Sequence, residues 1–99
     1  MEPLNKKKMV AIIENYAAVS GNIVGVDEHP ARPGYWQLSL QLEKSEDIGG
    51  YPNLAKADEG TVISIAIKKQ MASKAALQPG MSYTAEVKKV SPQEYFIRS

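Results

Sequence analysis

The chain has 99 residues, 43% hydrophobic and 23% charged, with twelve Lys and Arg against eleven Asp and Glu. That length suits one domain with one modest core. The absence of cysteine and the single histidine exclude a disulfide frame, a thiolate metal site, a Cys nucleophile and any site built on two imidazoles. A net charge of +1 gives no overall pull towards nucleic acid.

The first residues, Met1 to Lys8, are basic and precede an apolar run, Met9–Ile13. That run is shorter than the roughly seven to fifteen residues of a signal peptide's apolar region. No stretch approaches the roughly twenty apolar residues of a spanning helix, so the expected location is cytoplasmic. From Lys8 to Asn15 the apolar residues are contiguous, and periodicity leaves strand and helix both open. Residues 1–15 are expected to form a partly ordered N-terminal arm, and residues 16–99 the domain proper.

Tyr16 to Val26 is the first predicted strand. Gly21 and Gly25 weaken a flat strand and suit a bulge or sharp coil, which would let one long strand serve two sheets. A turn-rich segment, Asp27 to Gly34, follows. From Trp36 to Glu43 apolar and polar residues alternate without error, the pattern of a strand with one buried face. Lys44 to Gly60 is a long break containing Gly49-Gly50-Tyr51-Pro52-Asn53. In the third strand, Thr61 to Lys69, Ile63, Ile65 and Ile67 share one face, and Ser64, Ala66 and Lys68 the other.

Gln70 to Leu77 is rich in Ala and is stopped by Pro79-Gly80, so it is the one predicted helix. The fourth strand, Met81 to Lys89, turns Met81, Tyr83, Ala85 and Val87 inward. A short fifth strand, Tyr95 to Arg98, closes the chain. Tyr95 and Phe96 are adjacent and cannot both face inward; one covers a barrel end or is open to a partner.

Three strands, a short helix and two strands, in that order, resemble the OB-fold, a small mainly β, five-stranded Greek-key barrel. The likeness covers about residues 16–99. It rests on element order, the glycine-interrupted first strand and the Leu77-Gln78-Pro79-Gly80-Met81 lead into strand four. The run Val62-Ile63-Ser64-Ile65-Ala66-Ile67 before a helix looks most like replication-protein-A-type and bacterial single-strand-binding modules. Other small barrels, such as an SH3-like barrel with a helical insert, fit the same pattern. The resemblance implies binding of single-stranded nucleic acid, DNA ahead of RNA, across strands two and three and the flanking loops.

Such binding needs aromatic platforms and cations along a groove. Tyr35 has outward parity at the end of the first hairpin loop and is the better stacking candidate. Trp36 shares the inward parity of Leu38; it is either a core or barrel-mouth residue or a further nucleic-acid-binding candidate beside Tyr35. Tyr51, in the long loop, is either an anchor or a platform. The candidate cations are Arg32, Lys68, Lys69, Lys74, Lys88, Lys89 and Arg98; the competing reading is a solvated face with scattered lysines. Residues 43–60 hold five carboxylates against two lysines, net −3, which leaves +4 on the rest. Charge is therefore segregated, and the acidic segment is either a repelling flap or a protein-docking surface.

No cofactor is expected. Asp27-Glu28-His29 does not make a metal site, because neighbours on an extended chain point in alternate directions, and a solvated turn before Pro30 is the expectation. Asp58-Glu59 likewise reads as a solvated turn. Nothing pairs His29 with a remote Ser and acid, so a non-enzymatic module is expected. A protein-interaction or assembly module on the same barrel, including a homo-oligomer through the Tyr95-Phe96-Ile97 edge, is the alternative. A third option is a substrate-docking barrel from a larger enzyme.

Overall fold

A computed structural model describes residues 14–98. Most of the expected arm thus lies outside the described residues. At its end Asn15 is buried, and its side-chain amide both donates to the Lys89 carbonyl (3.1 Å) and accepts from the Lys89 N–H (2.9 Å).

Five strands form a closed barrel: β1 (Ala17–Glu28), β2 (Tyr35–Asp47), β3 (Val62–Lys68), β4 (Ser82–Ser91) and β5 (Glu94–Ile97). The order around the barrel is β1-β2-β3-β5-β4, with every contact antiparallel except β3–β5. This is the mainly β, five-stranded closed architecture implied by the OB-fold resemblance. Alternation decides it: Leu38, Leu40 and Leu42 of β2 and Ile63, Ile65 and Ile67 of β3 are all at most 2% exposed.

β1 serves two neighbours within one closed sheet and not two sheets: all of it but Val24 pairs with β2, and Ala17–Asn22 also pair with β4. Two register shifts bend the β1–β2 ladder: Glu43 is skipped between Lys44 and Leu42, and Val24 between Ile23 and Gly25. Gly21 is required at the first, because a Cβ there would collide with the Gln41 carbonyl oxygen. Gly25 has open space around it.

The helix predicted over Gln70–Leu77 shrinks to a single 3-10 turn, Lys74–Ala76. A helix this short is not stable by propensity alone, and tertiary contacts draw the segment elsewhere. The Trp36 Nε1–H donates to the Ala72 carbonyl at 2.9 Å, and Leu77 is buried in the core. Met81, expected on the inner face, is 45% exposed; it lies before β4, and its carbonyl accepts the Ile23 N–H across the turn.

The long break also differs from expectation. β2 runs on to Asp47, and the remaining loop folds back onto the barrel, burying Ala55 at 1% exposure. Among the described residues no helix is long and apolar enough to cross a membrane.

Candidate functional site

β5 is only four residues long, so its parity is decided by burial. Tyr95 turns inward and is 1% exposed, which leaves Phe96 on the outer face. There Phe96 stacks with Tyr35, ring centroids 6.4 Å apart and planes 28° from parallel. The Arg32 guanidinium lies over the Phe96 ring at 4.5 Å. The three groups come from the β1–β2 loop, the start of β2 and β5, and meet because β2, β3 and β5 are neighbours.

Strand register extends the cluster into rungs. Tyr35 pairs with Lys68. The next rung is Gln37–Ala66–Phe96–Lys88, running across β2, β3, β5 and β4. The third is Ser39–Ser64–Glu94. Tyr35, Ala66, Lys68, Met71, Phe96 and Ile97 line a shallow depression of about 210 Å³. Among the described residues no carboxylate ion-pairs with Lys68, Lys88 or the distant Lys74, whereas the other lysines and arginines are matched. Unmatched positive charge beside stacked rings attracts anions that carry flat apolar groups.

The remaining sequence candidates lie in other surroundings. Trp36 has inward parity at the barrel mouth, with its N–H on Ala72 and the Lys69 ammonium 4.7 Å above its ring. Lys69 in turn holds both Glu28 carboxylate oxygens, at 2.5 and 2.6 Å. Tyr51 packs edge-on against Tyr16, centroids 4.7 Å apart. Arg98 lies over both of those rings and pairs with Glu86 at 3.1 Å, so it turns away from Tyr35. Lys89 bonds Asp58 at 2.9 Å. Lys74 is exposed on the 3-10 turn. The structure thus brings Arg32, Tyr35, Lys68 and Lys88 together around Phe96, and sets Trp36, Tyr51, Lys69, Lys89 and Arg98 among internal partners.

The expectation of solvated turns is corrected at Asp58-Glu59 and at His29, while Asp27 and Glu28 are exposed as expected. The Asp58 side chain is 13% exposed and accepts from the Tyr95 hydroxyl (2.6 Å) and the Lys89 ammonium. Burial opposes its ionisation, but these two donors outweigh burial and hold the carboxyl below its ordinary value. Tyr95 is pushed the other way, first by burial and then by its bond to Asp58, so it stays protonated. Glu59 accepts from both the backbone N–H (2.8 Å) and hydroxyl (2.9 Å) of Ser45, which lowers its pKa. His29 is also buried. Its Nδ1 accepts the Ala31 N–H at 3.1 Å, and its Nε2 faces Glu94 at 3.7 Å.

Phe96 and the residues of the third rung are what sequence reasoning missed. The parity conflict at Tyr95-Phe96 was the available signal for Phe96; alternation put Ser39 and Ser64 on the outer face without marking them as a site, and Glu94 gave no signal. No protein-family model, curated protein or solved structure matches this chain, so the site is read from its own geometry.

Proposed function

We propose that this chain is a non-enzymatic module that binds single-stranded nucleic acid, DNA ahead of RNA, across the outer face of β2, β3 and β5. One observation carries the reading. A stacked Tyr35–Phe96 pair and an Arg32 guanidinium plane share a face with Lys68 and Lys88, which have no ion-pair partner among the described residues. Bases stack on Tyr35 or on the Arg32 plane, since both aromatic rings and guanidinium planes serve as platforms. Lys68, Lys88 and Arg32 hold the phosphates, and with so few cations the affinity is modest.

Anisotropy titration with a labelled mixed single strand of about 15 nucleotides tests this. About three phosphate contacts give a slope of log affinity against log salt near −2. Lys68→Ala and Lys88→Ala each make that slope shallower by about 0.7. No saturable binding at about 50 mM salt overturns the reading. An RNA strand of the same sequence is expected to bind more weakly.

A second reading has its own support. Met71 in the depression is 55% exposed, and Val62, on the same outer face, is 46% exposed. A protein partner docking its apolar side chains there would bind with little dependence on salt, which separates the two readings.

A further inference from the structure

The outer face changes character within one strand. Glu94 lies two residues before Phe96 on β5, so it presents to the same face about 7 Å away. Around it is a second depression of about 340 Å³, lined by Gln37, Ser39, Ser64, Ser91 and Glu94 among others. This region mixes neutral hydrogen-bonding groups with apolar Val62 and Pro92 and holds one carboxylate, in contrast to the cationic rungs beside it.

Glu94 is positioned from several sides. Ser91 Oγ donates to its Oε1 at 2.7 Å. Its Oε2 faces His29 Nε2 at 3.7 Å and Arg32 Nε at 3.8 Å, both beyond hydrogen-bond reach. Oε2 is therefore held by charge between Arg32 and His29 but accepts no hydrogen bond among the described residues, and its lone pairs remain open to a donor. Next to it in register, the Ser64 hydroxyl is buried and has no hydrogen-bond partner among the described residues.

A carboxylate repels phosphate, so the backbone of a bound strand runs along the Lys68–Lys88 side and a base edge turns towards Glu94. Phosphate contacts position a strand and base contacts select its sequence. A carboxylate accepts two parallel N–H donors, and among the common bases guanine alone offers two side by side, N1–H and N2–H. Its O6 is an acceptor for a hydroxyl such as that of Ser64. Thymine and uracil place one donor between two acceptors. Adenine and cytosine set a ring acceptor beside the amine, opposite the second carboxylate oxygen.

We infer that the Ser39–Ser64–Glu94 rung is a guanine subsite, with Glu94 as the base-selecting residue. The inference rests on the nucleic-acid reading above. The test compares labelled oligothymidylate of about 15 nucleotides with the same strand carrying two central guanines or two central inosines, which lack the N2 amine. The guanine strand is expected to bind about tenfold tighter than oligothymidylate, and the inosine strand to lose most of that gain. Glu94→Gln is expected to abolish the preference, read as the ratio of guanine-strand to oligothymidylate affinity within the variant.

Equal affinity of the wild-type protein for all three strands overturns the guanine subsite and leaves the proposed function standing. Failure to bind any of them at about 50 mM salt overturns both. A Glu94→Gln protein that keeps the preference removes Glu94 from the role. If that variant does not fold, the inosine comparison on the unaltered protein still decides.

Discussion

Lys89 and Lys68 are the same residue type on one barrel, each close to a tyrosine, and their surroundings differ in kind. Lys89 is 22% exposed, bonds Asp58, and lies 5.9 Å from the ring of Tyr95, whose hydroxyl bonds the same carboxylate. Lys68 is exposed, pairs in register with Tyr35, and has no acid beside it. The first cluster is closed: donors and acceptors match and the ring points inward. The second is open: its cation, rings and guanidinium plane face solvent. Residue type does not separate the two lysines; the acid beside Lys89 and its absence beside Lys68 do.

That contrast is broken most directly at Asp58. Asp58→Ala leaves the Tyr95 hydroxyl and the Lys89 ammonium without their shared acceptor, and a loss of about 2–3 kcal/mol in urea-unfolding free energy is expected. Binding to the outer face should survive in the folded fraction. A stability change within about 0.5 kcal/mol would mean that the clasp is no tighter than an ordinary surface pair.

Acid sharpens the same comparison at intermediate size. The folded-state pKa values of Asp58 and Glu59 are both depressed, so their contribution is complete above the ordinary carboxylate range and is lost as pH falls through and below it. Unfolding free energy measured by urea titration should fall from about pH 5 downward, and Asp58→Asn should flatten the fall. A curve for Asp58→Asn parallel to wild type would place the acid sensitivity elsewhere.

The smallest effect is expected on the open side. Lys68→Ala and Lys88→Ala should each change thermal or urea stability by no more than about 0.5 kcal/mol, because neither breaks an ion pair within the described residues. A larger loss in either would move that lysine from the open cluster to the closed one.

The barrel was readable where burial follows a period of two. Trp36 to Glu43 and the isoleucines of β3 announce their faces because each strand has one side in the core and one outside. The outer lysines and Tyr35 follow from the same rule. The closed cluster was not readable. Asp58 owes its role to Lys89 and Tyr95, 31 and 37 positions away, and no local pattern encodes such a meeting. Phe96 was ambiguous because four residues are too few for alternation to declare itself. The expected helix failed for a related reason: alanine propensity was outweighed by a carbonyl claimed by Trp36, 36 positions earlier.

The turn around Asp58 and Glu59 has a practical corollary for anyone using this barrel as a scaffold. Within two adjacent residues it fastens β2 through Ser45, β4 through Lys89 and β5 through Tyr95. A graft that trims the loop to shorten the protein would unpin three strands together, so the loop travels with the scaffold. The Gly49-Gly50 tip is exposed and has no side chain with which to fasten a strand, and it is the place to splice in a foreign peptide.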